Sequence, residues 1–198
     1  MDTSTQETAK DKILECAFYE IYRRGFQAAS LSNILKDTNL TKGALYHHFP
    51  NKKALGLAVI DDYIYAWLKK RIFDPLKLSH RPLDTLLKII SESRVNPSIQ
   101  IELGCPLNNL MQEMSSLDKD FNAHLIRIQL AWQKSIENAI RHSQQQGEVS
   151  SDLNAEQIAL FIFSSWEGCM GTAKVNKSKQ VLSGCLEVLE DYILYLKS

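Results

Sequence analysis

Apolar residues return every three to four positions along almost the whole chain, a period that suits helices and not strands. Between Lys10 and Arg24, Ile13, Ala17 and Ile21 form one row at i, i+4 spacing, and Leu14, Phe18 and Tyr22 form the next. Together they make a single apolar face, closed by Gly25. No run of alternating apolar and polar residues between turn pairs spells a strand. With only 8 Gly and 5 Pro in 198 residues, turns are scarce. The expected fold is all-α, with about nine helices.

Capping residues and prolines divide this pattern. Ser30 starts a short helix through Asp37, and after the break at Thr38-Asn39-Leu40, Thr41 starts another, Lys42 to His48. Phe49-Pro50 stops it, and Asn51 caps a long helix from Lys52 into the seventies. Pro82 opens a segment that Pro97 closes, and Pro106 opens one through Met114. Asp118 caps a long run from Lys119 to Gln146 that Gly147 ends. Asn154, with Gln157 three residues on, has the form of a capping box for a helix to about Lys174. A last helix spans Ser178 to Leu196. The expected organisation is an N-terminal three-helix domain, residues 1–52, and a C-terminal helical bundle, residues 53–198.

Charge and cysteine usage narrow the function classes. Lys+Arg and Asp+Glu are both 23, so bulk positive charge is not what holds any polyanion. Residues 1–55 are net +2 and the rest net −2, so a nucleic-acid site must come from the placement of charges. The polar N-terminus is not a signal peptide, and the most apolar stretch, Ile158 to Phe163, is too short for a bilayer. Cys16, Cys105, Cys169 and Cys185 have no C-x-x-C or metal spacing and read as reduced thiols of a cytoplasmic protein. No metal or cofactor is expected. The motifs of phosphate-loop enzymes, serine hydrolases, zinc proteases and EF-hands are all missing, so an enzyme is not expected.

Residues 30–48 have the proportions of a helix-turn-helix. With Leu45 pointing inward toward Leu31, Ile34 and Leu35, a 100° step turns Gly43 and His47 outward, with Ala44 and Tyr46 on the shoulders. That face is small where a backbone must approach a groove floor and polar-aromatic further along. Thr41 and the free N–H groups behind it suit a phosphate oxygen, and Lys42 and Lys52 can each neutralise one. Taken singly, a histidine at a helix end or a lysine at a helix start is more often simply solvated. The combination on one face is what points to double-stranded DNA, and a helical adaptor that binds only protein has no reason to assemble it.

Gly25-Phe26, Ser30-Leu31 and the run Thr41-Lys42-Gly43-Ala44-Leu45-Tyr46-His47-His48-Phe49-Pro50-Asn51-Lys52-Lys53-Ala54-Leu55 resemble the signature of TetR-family transcriptional regulators. The resemblance implies an N-terminal helix-turn-helix domain and a C-terminal bundle that binds ligand and dimerises. It also implies a homodimeric repressor that releases a palindromic operator when a small-molecule effector occupies that bundle. Family DNA contacts carry over onto Thr41, Lys42, Gly43, Tyr46, His47, His48 and Lys52. Further on, Leu103-Gly104-Cys105-Pro106-Leu107 with Met111-Gln112-Glu113-Met114 resembles the branch that contains NemR and AcuR, some of whose members respond to electrophiles or small unsaturated acids.

The last helix argues separately for a homodimer. Leu182, Leu186, Leu189, Ile193 and Leu196 form one stripe; Val181, Cys185, Val188, Tyr192 and Tyr195 form a second. One stripe suffices to dock a helix on its own domain, and two call for another surface. Leu182, Cys185, Leu186, Leu189, Tyr192 and Ile193 are the candidate interface, with Gly168 and Gly171 allowing close approach; burial of both helices within one monomer is the alternative. For the effector, Phe121, Leu125, Ile128 and Trp132 line one face of the long helix, beside His124. Met111 and Met114 precede that helix, and Trp166, Cys169 and Met170 are placed to face it, with His124, Glu113 and Gln112 as polar anchors for a mostly apolar molecule. Plain core packing explains the same residue types. Cys105, just ahead of a helix start, is the candidate for a low-pKa sensor thiol or for inert packing.

Overall fold

The computed structural model describes residues 8–36, 38 and 40–197. Asp37, where the expected second helix ends, Asn39 in the break after it, and the polar residues 1–7 lie outside the described residues. Among those described, the chain is all-helical: nine helices, if the run over 52–78 counts as one, and no strand. They are α1 (Ala9–Arg24), α2 (Leu31–Lys36), α3 (Lys42–His48), α4 (52–78), α5 (Pro82–Val95), α6 (Pro106–Met114), α7 (Lys119–Gln145), α8 (Ala155–Asn176) and α9 (Lys179–Tyr195).

The expected caps Thr41, Asn51, Asp118 and Asn154 form, Ser178 caps the last helix from just outside it, and the Ser30 hydroxyl instead lies 2.6 Å from that of Ser32. The side chains of Thr41, Asn51, Asn154 and Ser178 each accept from a backbone N–H in the first turn of the helix they precede. Thr8 and Asp11 add a reciprocal capping box at the start of α1. The period does not reveal that α4 widens into π-helical turns at Val59–Ile64 and Lys69–Phe73. The second lies just ahead of Pro75, whose missing N–H a looser ladder tolerates.

The chain forms two compact units. The first joins the residues up to Ala66 with Asn109–Leu125; the second joins Trp67–Asn108 with Ile126 onward. In the first, α1 buries Ile13, Leu14, Ala17 and Ile21 against α2, α3 and α4. Phe121 reaches the same core, its ring 4.5 Å from that of Phe26. Gly56 sits beneath both rings, so close that a Cβ there would lie 2.5 Å from the Phe26 ring. The segment 109–125 is thus grouped with the N-terminal helices in the first compact unit.

In the second unit α9 packs against α8 and α5. Leu182, Leu186, Leu189 and Ile193, expected at an interface, are instead buried within this unit. One apolar stripe is what a helix needs to dock, and this is that stripe. Arg94 pairs with Glu190, and Lys197 with Asp84, tying α5 to α9 and the turn after it. The expectation of four reduced thiols fails as well. Cys169 and Cys185 face each other across the α8–α9 contact, with Cα atoms 5.6 Å apart, and form a disulfide. Cys185 is therefore bonded within the chain, while Cys16 and Cys105 take no part in a disulfide.

Candidate nucleic-acid interface

α3 is a seven-residue helix with one inward anchor. Leu45 is 0% exposed, Phe49 behind it is buried, and Ile34 of α2 is buried too. Thr38 builds the turn between the helices: its hydroxyl donates to the Leu35 carbonyl (2.9 Å) and accepts from Leu40 N–H (3.1 Å). With Leu45 fixed inward, Thr41, Lys42, Gly43, Tyr46, His47 and His48 are exposed and Ala44 is half-buried, as the helical wheel requires. Tyr46 is 42% exposed, and the Lys42 ammonium lies 5.9 Å from its ring. The Thr41 hydroxyl accepts from Ala44 N–H at 3.1 Å, so it is already used as a cap.

Lys52 is less available than expected, and Lys53 beside it is paired as well. The Lys52 ammonium donates to the Gln27 carbonyl (2.9 Å) and sits 4.9 Å over the Phe26 ring. Lys53 is paired with Asp118 and Asp120, each at 2.7 Å. The Asp118 hydrogen bond raises the Lys53 pKa, and in return Lys53 holds the Asp118 carboxyl below its usual range.

Glu113, expected as a ligand anchor, has another task. Its carboxylate accepts from the backbone N–H groups of Phe26 (2.8 Å) and Gln27 (2.9 Å) and lies against Gly25, whose φ of +80° turns the chain after α1. The loop ahead of the helix pair is thus gripped by Glu113 on one strand of hydrogen bonds and by Lys52 on another. Glu20 steadies the next stretch, accepting from Ser30 N–H (3.2 Å) and the Asn33 side chain (2.9 Å). No local pattern announces either acid, because both act on residues distant in sequence.

The expected effector lining divides between the two units. Met111, Met114, Phe121, His124 and Leu125 fall in the first, and His124 Nδ1 is 2.7 Å from Asp61. Cys105, Ile128, Trp132, Trp166 and Met170 fall in the second, where the Trp132 ring meets Trp166 (5.5 Å) and Phe163 (5.4 Å) edge-on. Cys105 is buried. Burial, and then the Glu167 carboxylate beside it, push the thiol well above its ordinary pKa, the reverse of the lowering expected from its place at a helix start. Among the described residues no group of three His, Cys, Asp or Glu could hold a metal ion, and no helix is long and apolar enough to cross a membrane.

Two short helices with one buried leucine and an outward face of Thr, Lys, Gly, Tyr and His, on an otherwise helical chain, define a helix-turn-helix regulator. Residues 13–59 match the family described as bacterial regulatory proteins, tetR family, and residues 82–189 match a tetracyclin repressor-like C-terminal domain. This chain belongs to the TetR family of transcriptional regulators. The transcriptional regulator AcuR of Cereibacter sphaeroides is 29% identical over 171 residues, 85% of this chain and 77% of that protein. An HTH-type transcriptional regulator of Lactococcus lactis is 33% identical over 137 residues, 69% and 70% of the two chains. The repressor NemR of Escherichia coli is 23% identical over 98% of both chains. Among solved structures, a TetR regulatory protein from Rhodobacter sphaeroides superposes with a TM-score of 0.82 at 26% identity, covering 93% of this chain and 98% of that one.

Proposed function

We propose that two copies of this chain, acting in the cytoplasm and without catalysis, hold a palindromic operator through the outward face of α3 and release it when a small molecule binds the C-terminal part. The observation that carries the reading is the exposure of Thr41, Lys42, Gly43, Tyr46, His47 and His48 around a fully buried Leu45. Side chains at that spacing reach base edges and flanking phosphates once the helix enters a major groove. Lys52 contributes less directly, by steadying the loop at Gln27. Residues 1–52 form the DNA-reading part in this proposal and residues 53–198 the responding part.

The chain passes between its two compact units after Ala66, Asn108 and Leu125. A ligand that favours one arrangement of the second unit therefore has three covalent routes to the first. Two reading heads must match half-sites spaced by the DNA helical repeat, so a small change in their separation costs contacts on both sides. The coupling needed is about 1–3 kcal/mol. A partner surface is available on α8 and α9, where Phe161 and Tyr192 meet edge-on at 4.9 Å beside exposed Leu160 and Val188.

Fluorescence anisotropy on DNA from upstream of the protein's own gene tests the reading. Lys42→Ala with Tyr46→Ala should abolish specific binding while the helical melting curve stays unchanged. Lys42→Ala alone, which removes one phosphate contact, should weaken binding and lower the log–log salt slope by about one. Undiminished operator binding by the double variant would refute the assignment of α3.

A further inference from the structure

The inward side of α8 is apolar except at one position. Glu167 is 6% exposed, and no N–H or O–H donates to either of its carboxylate oxygens among the described residues. The Asn108 amide, which lies close by, donates to the main-chain carbonyl of Glu167 (3.4 Å) and not to its side chain. The thiol of Cys105 is the neighbour that acts on the carboxyl, and a thiol is a weak donor. Burial pushes this carboxyl up to about 7, the mark of an acid that lacks a counter-charge.

Glu167 also lies one helical turn beyond Phe163 and directly after Trp166, so it shares its side of α8 with the rings that meet Trp132. The Trp132 indole N–H is likewise buried and without a partner. A buried acid to which no N–H or O–H donates thus lies on the side of α8 that carries two of these three aromatic rings.

We propose that Glu167 is the anchor of the effector site, and that the effector is a small organic cation: a protonated amine on an apolar body. This deepens the functional reading above, on which it rests. An ammonium group supplies both things the carboxylate lacks, a positive charge and strong N–H donors. Trp132, Phe163 and Trp166 take the apolar body, and their ring faces favour a cation over a neutral molecule. A carboxylate ligand would meet like charge, and a neutral alcohol would leave the acid without its counter-ion.

The test uses the full-length chain and three probes of one shape: benzylammonium, benzyl alcohol and benzoate, followed by calorimetry and by quenching of tryptophan emission. Wild type should bind benzylammonium at least about tenfold more tightly than benzyl alcohol, with benzoate weakest. Glu167→Gln, which keeps the shape and removes the charge, should erase the preference for the ammonium while leaving the affinity for the alcohol. Equal affinities in the wild type, a preference for benzoate, or no binding of benzylammonium at millimolar concentration would each overturn the proposal, whether or not the variant folds. Operator binding is measured alongside. A chain that binds its operator but ignores benzylammonium defeats this inference alone; one that binds benzylammonium but no operator defeats the functional reading alone.

Discussion

Glu167 carries a pH dependence that belongs to a single residue. Its folded pKa, about 7, lies above the 4.5 it has when the chain is open. The folded state therefore binds more protons than the unfolded one between those values. Its contribution to stability is most favourable below pH 4.5, falls as pH rises toward 7, and stays low above it, a swing of about 3 kcal/mol. Glu167→Gln should flatten this part of the curve and melt at a higher temperature than wild type at pH 8, with little difference at pH 4.5; calorimetry across that range measures it. Leu45 is the other decisive single residue. Leu45→Ala removes a fully buried side chain and should cost about 2–5 kcal/mol in chemical denaturation, taking DNA binding with it as α3 loosens.

At the scale of elements, the loop between α1 and α2 depends on a carboxylate far along the chain. Glu113→Gln keeps one acceptor but loses the charge behind two hydrogen bonds, and should destabilise the first unit by about 1–3 kcal/mol. Hydrogen exchange at the Phe26 and Gln27 amides should speed up locally before the global melt changes. How far each element could be read in advance follows from how local its causes are. The bounds and outward face of α3 were legible because a cap, a stop and one inward leucine set them within ten residues. Glu113 was misread as a ligand anchor because its partners lie 87 and 86 positions away. The pairing of Cys169 with Cys185 and the retention of Leu182 and Leu186 in the core depend in the same way on which helices meet, which no period reveals. The π-helical turns of α4 leave its apolar pattern almost unchanged, and the want of an N–H or O–H donor to Glu167 emerges only once its neighbours are placed.

For the whole molecule, the second stripe of α9 is the point of interest. Val188 is 68% exposed and Tyr195 77%, and Tyr192 between them meets the exposed Phe161 of α8 edge-on. Gly168 and Gly171 have nothing near their Cβ positions, which leaves room there for a second backbone. If two chains meet on this face, Val188→Arg with Tyr192→Ala should weaken self-association on the order of 100-fold, converting dimer to monomer at micromolar concentration in sedimentation velocity. Operator affinity should fall with it, since one head cannot engage two half-sites.

The reach of Phe121 and Glu113 into the N-terminal helices has a practical consequence for anyone dissecting this regulator. A fragment cut after residue 59 would leave the Phe26 ring without its aromatic neighbour Phe121 and two amides without their acceptor. Grafting that fragment onto another sensor would succeed only where the recipient offers an aromatic and an acid at matching places. Specificity for DNA in this chain is therefore not a detachable cartridge: its inheritance, natural or engineered, is tied to a short stretch of sequence encoded some fifty codons downstream.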